Sequence, residues 1–336
     1  MSGFIVHFYK VRYEMKKASD KILKRSVLSA LVAAVLYTPQ VMAEEFTKVV
    51  YDGSTVENET VENGTQTVLE GGKTEDITIK KSGRQNVNSG GETTRTIIDG
   101  GSQNVQGKAN DTTIKSGGQN VDKDGEDNNA RIEGGAQFVS GTATGATVYS
   151  GAQAVNDGGK VENTTIKQGG KLIVNEGGTA TGIKQENGAI LTATTKKTNV
   201  SGTNTLGDFS IEGGKAKNVL LENGGSLDVM EDTTATNTTI NDGGYLWVKQ
   251  KGTAEDTTIN DGGKQYVENG GTARGTTIEK GGEQWVYYKA TDEDAVINGG
   301  TQNVSSGGTA TGATINDGGK QNVSGTSTGT KIEKGG

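Results

Sequence analysis

The sequence predicts an all-β protein whose short strands wind into a parallel β-helix, a solenoid of about 19-residue coils. The first observation is a repeat, in which the motif that begins at Ile240 returns at Ile259, Ile278, Ile297 and Ile315. The second is that each repeat holds two short apolar stretches separated by a Gly-Gly pair. The third is that β-branched residues dominate, and no apolar set recurs at the helical period. A meander of identical hairpins is the alternative, and one coil of a solenoid suits this period better.

The Gln-x-Val stretch of each repeat predicts a strand with its Gln and Val side chains inside the solenoid. Leu172, Leu227 and Leu246 replace the Gln in some repeats. Residues two apart in a strand share a face, so the Leu and the Val both point inward. The residue between them is variable and often polar, as at a solvent-facing position. In the Thr-Thr-Ile stretch we expect the Ile to point inward, and the Gly-Gly pairs to supply positive φ and close backbone approach at corners.

Composition limits the possible functions. The chain of 336 residues carries a formal net charge of −7, with one His, one Pro and no Cys. His7 and Pro39 both precede residue 44, so residues 44–336 contain neither residue type. This excludes Ser-His-Asp and Cys-His catalysis, histidine-ligated zinc and thiolate metal sites from that part. We therefore expect no enzyme, no cofactor and no metal. Residues 44–336 also carry 27 basic and 39 acidic residues, and this acidic surface argues against nucleic-acid binding.

Residues 1–43 have the pattern of a secretory signal peptide. A basic region precedes an apolar run over 27–37, and Pro39 then breaks the helix. Val41 and Ala43 place small residues before Glu44, so we expect cleavage after Ala43. A membrane anchor is the alternative, but the run is too short to span a bilayer. Translation starts at Met1 or at Met15.

Residues 44–67 are predicted to form an N-terminal lead-in or cap, because terminal coils of solenoids are usually atypical. Residues 68–336 form the repetitive section, with coils of 16 to 19 residues. The rhythm is disturbed over 175–228, where we expect a distorted coil that includes a polar variant from Thr192 to Thr205. The sequence stops inside a repeat at Gly336, and we expect the repetitive section to end there without a cap or translocator barrel.

The repeats resemble those of the AIDA-type, antigen-43-like self-associating autotransporter adhesins. The shared motif is Ile/Val-x-x-Gly-Gly-x-Gln-x-Val-x-x-Gly-Gly-Thr-Ala-x-x-Thr-Thr-Ile. It stands here from Ile297 to Ile315, with one residue fewer before Gly299 and with Ala313 at the first Thr position. The resemblance covers about residues 68–336. It implies a right-handed parallel β-helix passenger that is exported to the cell surface and mediates aggregation, adhesion and biofilm formation. It also implies heptose on Ser and Thr residues, without indicating which ones.

One column of outward residues is the candidate adhesive surface. Trp247, Tyr266 and Trp285 occupy the same outward position in three consecutive repeats. Asn303 and Asn322 continue the column, and Phe138 lies in it further towards the N-terminus. Aromatic residues dominate binding hot spots and also bind sugars, so the column is a candidate partner surface. The alternative is that stacked aromatic and Asn side chains only reinforce the solenoid.

Three other functions, calcium binding, polysaccharide cleavage and ice binding, fit this sequence less well. Acidic clusters at 122–127 and 292–294 suit solvated corners better than a calcium site. A polysaccharide lyase or glycosidase would need a unique pair of carboxylates, whereas the acidic residues recur with the coil. A flat threonine array could bind ice, but we expect the drifting coil length to spoil a regular grid.

We therefore expect a secreted adhesin passenger that associates with the same protein on other cells, antiparallel and in a salt-sensitive manner. A host-cell surface or glycans are further possible partners. Outer-membrane anchoring requires a translocator domain, without which the protein stays in the periplasm. The alternative is a passive stalk that presents another domain.

Overall fold

The computed structural model describes residues 46–336, which form one β-solenoid of about 15 coils. The predicted all-β fold and coil length are confirmed, whereas the handedness stays a prediction. The signal peptide over 1–43 and the cleavage site after Ala43 lie outside the described residues. No helical segment of the described part has the length and hydropathy that would be needed to span a bilayer.

Each coil contributes one short strand to each of three faces. The glutamine face is named after the Gln-x-Val stretch. Its strands are Phe46–Val50, Gly64–Val68, Gly83–Val87, the second half of Ile97–Val105, the second half of Thr113–Val121, Ala136–Val139, Ala152–Val155, Lys171–Val174, Ile190–Thr194, Ser226–Val229, Tyr245–Val248, Lys264–Val267, Glu283–Val286, Thr301–Val304 and Lys320–Val323.

The alanine face is named after the residue that most often points inward from it. Its strands are Thr55–Glu57, Lys73–Glu75, Glu92–Thr94, Lys108–Asn110, Glu126–Asn128, Thr142–Thr144, Lys160–Glu162, the first half of Thr179–Gln185, Asn199–Asn204, Gly207–Glu212, Lys215–Lys217, Thr234–Thr236, Thr253–Glu255, Thr272–Arg274, Thr291–Glu293, Thr309–Thr311 and Thr326–Thr328.

The isoleucine face consists of the Thr-Ile strands. These are Thr60–Val61, Thr78–Lys80, Arg131–Ile132, Thr147–Val148, Thr165–Ile166, Leu220–Leu221, Thr239–Ile240, Thr258–Ile259, Thr277–Glu279, Val296–Asn298, Thr314–Ile315 and Lys331–Ile332. The beginnings of Ile97–Val105 and Thr113–Val121 and the end of Thr179–Gln185 also lie on this face.

Successive coils stack in parallel and in register. Val248 pairs with Val267, and Val267 pairs with Val286, and all three are fully buried. The isoleucines form a second buried column, in which Ile240, Ile259 and Ile278 are consecutive partners. The core is therefore a narrow shaft of aligned columns, as the repeat predicts. The first described strand, Phe46–Val50, already pairs with Gly64–Val68, so regular stacking begins within the predicted lead-in over 44–67.

The corners use residues that tolerate positive φ. A single left-handed residue joins the alanine face to the isoleucine face, for example Asn237 (φ 54°) and Asp256 (φ 52°). In the Gly-Gly pairs the first glycine has positive φ, as at Gly262, whose φ is +73°. At the second, Gly263, a Cβ would lie 2.4 Å from the Ile240 carbonyl oxygen of the preceding coil. The two predicted roles of the glycine pairs are both present.

The core contains two ladders of buried glutamine side chains. One runs from Gln66 to Gln153 and the other from Gln265 to the partly buried Gln321. Leu172 and Leu191 continue the column of the first ladder, and Leu227 and Leu246 precede the second ladder in its column. Each Gln Nε2 donates to the Oε1 of the preceding Gln at 2.6 to 2.9 Å. The inward Gln position was predicted, and the ladder explains how an amide can replace leucine there. Each amide is satisfied by its neighbour in the column.

Two aspartates of the acidic clusters are buried, so their prediction as solvated corner residues is wrong. Asp127 and Asp292 occupy the inward column of the alanine face, where the preceding and following coils have alanine. Asp127 accepts hydrogen bonds from Gln119 and Gln137, each at 2.8 Å. Asp292 accepts equivalent bonds at 2.8 and 2.7 Å from its own two glutamines. The register places them inside the shaft, where the glutamine ladders supply donors.

The disturbed section over 175–228 contains the only antiparallel strand pairs assigned within residues 46–336. Strand Asn199–Asn204 turns back into Gly207–Glu212, which turns again into Lys215–Lys217. The alanine face thus gains two strands within one coil. On the glutamine face, Ile190–Thr194 pairs directly with Ser226–Val229. The register is shifted by two residues, so that Ala193 lies opposite Leu227. Because the shift is an even number of residues, the side chains of both strands that face the core still do so. The polar variant coil predicted from Thr192 to Thr205 therefore runs from the end of a glutamine-face strand into Asn199–Asn204. We call Asn199–Asn204, Gly207–Glu212 and Lys215–Lys217 the three-stranded insertion.

Candidate functional site

The predicted outward column lies on the glutamine face. Trp247 pairs with Tyr266, Tyr266 with Trp285, Trp285 with Asn303 and Asn303 with Asn322. The structure brings these five residues together on five successive coils. Phe138 belongs to the same column but lies far from the others, between Asn120 and Ala154, and is 44% exposed. An adhesive role for these six residues stays a prediction.

The aromatic rings of this column stack along the solenoid axis. The ring centroids of Trp247 and Tyr266 are 4.2 Å apart, with an interplanar angle of 19°. Because the rings stack on the neighbouring coil, their faces point along the axis and their edges point to solvent. This arrangement stabilises adjacent coils, since offset-stacked pairs are favourable beyond their area burial. It also leaves each aromatic side chain only half-buried.

Two flanking columns enlarge the surface beyond the predicted residues. Tyr245 stacks with Tyr266 at 6.5 Å, and Tyr287 stacks with Tyr266 at 6.4 Å and with Trp285 at 6.3 Å. Of the outward positions on this strand, only the one between Gln and Val was predicted as candidate surface. Residues two before and two after that position face the same side of a strand, and this periodicity could have identified both tyrosines.

We call the nine outward residues of these three coils the aromatic grid. Each coil forms one rung of the grid, and the rungs hold, in strand order, Tyr245, Trp247 and Lys249; Lys264, Tyr266 and Glu268; Glu283, Trp285 and Tyr287. The first, second and third residues of the rungs form its three columns. Both tryptophans of the chain lie in the grid.

Charged residues connect neighbouring rungs of the grid. Lys249 Nζ lies 3.1 Å from Glu268 Oε2 and 4.8 Å from the Trp247 ring centroid. Lys264 Nζ lies 3.3 Å from Glu283 Oε2, and this hydrogen-bonded carboxylate raises the pKa of Lys264. Burial raises the pKa of the Tyr287 hydroxyl above its ordinary value. The grid therefore presents aromatic edges, hydroxyls and compensated charges.

The ends of the same column carry asparagines instead of aromatics. Asn322 donates to Asn303 at 2.8 Å, and the early coils contain an equivalent ladder through Asn86, Asn104 and Asn120 at 2.9 Å. An amide ladder follows the aromatic grid directly, whereas Ala154, Ile173 and Asp228 are among the residues that separate the grid from the early ladder. A shallow depression of about 460 Å³ borders the grid, lined by Gln250, Glu268, Asn269 and Tyr287.

Acidic residues outside the shaft do not converge on a metal site. Within residues 46–336, no group of three or more His, Cys, Asp or Glu side chains is placed to hold a metal ion. Asp124 and Glu126 are exposed, whereas Asp127 of the same cluster is buried.

Comparisons with known proteins agree with the repeat. Residues 201–263 and 242–282 match the family model described as "Adhesin of bacterial autotransporter system, probable stalk", named AIDA. Over 67 residues, the chain is 52% identical to a probable autotransporter, YpjA, of Escherichia coli (strain K12). That alignment covers 20% of this chain and 4% of the length of the relative.

A solved structure is also similar. It is the crystal structure of a TibC-catalysed, hyper-glycosylated fragment of TibA, 33% identical in sequence. The match covers 84% of this chain and 94% of that fragment, with a TM-score of 0.48. The matched segments, and the same motif that recurs in register along the solenoid, show that this chain carries repeats of the AIDA family, found in adhesins of the bacterial autotransporter system.

Proposed function

We propose that this chain is a cell-surface passenger that mediates bacterial self-aggregation, adhesion and biofilm formation through the outward columns of its glutamine face. The supporting observation is the aromatic grid. It gathers both tryptophans and three tyrosines, half-exposed, on one flat sheet face of an otherwise polar protein. Aromatic residues of this kind supply most of the energy at protein interfaces.

The ring orientation favours a protein partner over a stacked sugar. A sugar ring packs on the free face of an aromatic ring, but the faces of Trp247 and Tyr266 cover each other. Their edges and the tyrosine hydroxyls remain free to contact side chains of another chain. We therefore propose the same protein on another cell as the main partner, with host-cell surfaces and glycans as further ones.

The mechanism is distributed along the rod. Each coil contributes only a few outward side chains, and weak contacts at many coils sum to a stable attachment when two rods align. The contacts include lysines and carboxylates near the surface, so clumping should weaken as salt rises. Attachment to the outer membrane depends on a translocator domain.

A test uses cells that do not aggregate by themselves and display the chain through a fused translocator. The triple variant Trp247→Asn, Tyr266→Asn and Trp285→Asn should slow settling severalfold, because it removes the aromatic edges. Asparagine already occupies this column at Asn303 and Asn322, so the coils should still form.

The matched control changes the isoleucine face instead, with Thr239→Asn, Thr258→Asn and Thr314→Asn. These residues are also outward and half-buried, and settling should equal that of the unmodified protein. Equal surface amounts are verified by antibody labelling. If cells with the unmodified chain do not settle faster than cells without it, self-association is rejected.

The second candidate is a passive stalk, which the family description "probable stalk" favours. A stalk would hold another domain away from the membrane without binding anything itself. It predicts no clumping of cells that display only this chain.

A further inference from the structure

The charge pattern of the aromatic grid suits a second copy of the chain in one orientation. The first column holds Tyr245, Lys264 and Glu283, and the third column holds Lys249, Glu268 and Tyr287. Two glutamine faces can pack against each other about a two-fold axis in the plane of the interface. That axis runs along the solenoid in a parallel pair and across it in an antiparallel pair.

In a parallel pair centred on the grid, each first-column residue faces the third-column residue of the same rung in the second copy. Lys264 then meets Glu268 of the second copy, an opposite-charge contact that occurs twice because of the two-fold axis. Tyr245 meets Lys249 as a cation–π contact, and Glu283 meets the Tyr287 hydroxyl. The middle column brings each Trp and Tyr against its own copy. All three pairings between the outer columns are favourable.

In an antiparallel pair centred on Tyr266, each column faces itself in reverse order. Lys264 then meets Lys264 of the second copy, and Glu268 meets Glu268. Like charges opposed across an interface repel each other and disfavour this orientation. The aromatic contacts are equivalent in both orientations, so the charges decide between them.

The rung before the grid contributes one unfavourable contact to the parallel pair. Asp228 lies in the middle column next to Trp247 and would face its own copy. Lys249 interacts favourably with this carboxylate, and the pair brings a lysine from each copy to the two aspartates. The parallel pair thus has one like-charge contact beside lysines, against two in the antiparallel pair, whose Lys264 and Glu268 each keep one in-chain partner, Glu283 and Lys249. The smaller number of like-charge contacts favours the parallel pair.

We propose that the aromatic grid joins two copies of this chain in parallel and in register. Chains anchored on the same cell point in the same direction, so this contact would cluster passengers laterally. The grid then acts in aggregation by gathering neighbouring passengers, whose Asn columns and remaining coils meet facing cells together, and the triple Asn variant slows settling because it disperses them. The inference rests on the proposed function and adds an orientation to it.

The grid is small for an interface. Three rungs of three residues cover on the order of 300 Å² per copy, against about 800 Å² for a stable complex. The pair should therefore form only at the high local concentration of a cell surface, on the order of millimolar.

Because the chain lacks cysteine, single cysteines can report the orientation. Thr301 and Ser305 are the first and third residues of the rung after the grid, and Ser226 is the first residue of the rung before it. In the parallel pair Thr301 faces Ser305 of the second copy, whereas in the antiparallel pair it faces Ser226. The purified full-length variants Thr301→Cys, Ser305→Cys and Ser226→Cys are mixed in pairs at about millimolar concentration. Each mixture is treated with a bismaleimide cross-linker of roughly 8 Å span. Sheets that pack face to face lie about 10 Å apart, so this linker is short enough to select residues that face each other.

The proposal expects cross-linked dimers in the Thr301→Cys and Ser305→Cys mixture, at least fivefold above the Thr301→Cys and Ser226→Cys mixture. A mixture of Thr258→Cys and Thr277→Cys, on the isoleucine face, measures random collision. Cross-linking mainly between positions 301 and 226, or no yield above the collision control, would overturn the parallel pair. If the parallel pair is overturned but cells that display the chain still clump, the proposed function stands without the lateral pair. If parallel cross-links form but the cells do not clump, aggregation is rejected and the parallel pair stands.

Discussion

At the scale of single residues, the shaft combines apolar columns with buried amides and two buried carboxylates. Burial raises the pKa of Asp127 to about 6 and that of Asp292 to about 7, although hydrogen bonds from the flanking glutamines act in the opposite direction. Both values lie above the ordinary value of 3.8, so folding favours the protonated form of each aspartate. Their contribution to stability is therefore complete below about pH 4 and is lost as the pH rises through 6 to 7.

We therefore predict that the variants Asp127→Ala and Asp292→Ala gain stability relative to the unmodified chain as the pH rises. Alanine fits because the neighbouring coils have it at the same position. Between pH 4 and pH 8 the free energy of unfolding of each variant should gain up to about 3 to 4 kcal/mol relative to the unmodified chain, as shifts of about two to three pKa units imply. Thermal unfolding followed by circular dichroism measures the difference at each pH.

Asp124→Ala is the matched control, because Asp124 is an exposed aspartate of the same coil as Asp127. For Asp127→Ala, the free energy of unfolding relative to the unmodified chain is compared at pH 4 and pH 8. An equal value at both pH values would show that protonation of the buried carboxylate is not linked to folding.

The sequence predicted some of these residues and missed others for physical reasons. Leu172 at a Gln position revealed that the column points inward, and the register confirms it. Asp127 and Asp292 were missed because a carboxylate normally stays at the surface, and only the three-dimensional register places glutamine donors beside them. The outer columns of the aromatic grid follow from strand periodicity, but the contacts that join their rings depend on stacking between coils.

At the scale of strands and coils, the structure absorbs variable coil length at the corners. Thr253, Thr272, Thr291 and Thr309 remain partners although their spacing changes from 19 to 18 residues. The expectation that the drifting coil length would spoil a regular array of outward threonines is therefore wrong. An ice-binding array still lacks support here, because the adjacent outward column carries the ion pair between Arg274 and Glu293 at 2.8 Å.

The three-stranded insertion could not be predicted from the repeat. Its strands resemble other polar coils in composition, and their antiparallel pairing depends on contacts such as that of Val200 with Ile211. The glutamine face bypasses the insertion, since Thr192 pairs directly with Ser226. Phe209 and Ile211 of the insertion are buried, whereas Leu206 at its tip is exposed.

We predict that the insertion can be removed without loss of the fold. Deleting residues 202–217 joins Ser201 to Asn218 and leaves about 20 residues between Ile190 and Ser226, close to one ordinary coil. The deletion variant should retain the β-sheet circular dichroism spectrum, with a thermal midpoint within about 5 °C of that of the unmodified chain, because solenoids tolerate changes of coil content.

A deletion of the same length inside one regular coil, residues 255–270, is the control. It removes most of a rung with its Gln265, so it should lower the midpoint more strongly. Equal destabilisation by both deletions would indicate that the insertion is part of the stacking.

At the scale of the whole molecule, residues 46–336 form a rod about 70 Å long if 15 coils rise at the strand spacing. The net negative charge of residues 44–336 keeps rods apart at long range, so attachment depends on local patches where charges are complementary. The proposed aggregation and the proposed lateral pairing both depend on such locally complementary patches. Each requires side chains of successive coils to stand in straight columns.

The most direct test of the columns is a distance between spin labels on one face. Thr253→Cys paired with Thr291→Cys, and Thr253→Cys paired with Thr326→Cys, place labels two and four coils apart on the alanine face. Electron paramagnetic resonance should give distances near 10 and 19 Å, that is, about 4.8 Å for each coil whether it has 17, 18 or 19 residues. Broad distributions, or distances that do not double between the two pairs, would contradict the stacked solenoid on which the account depends.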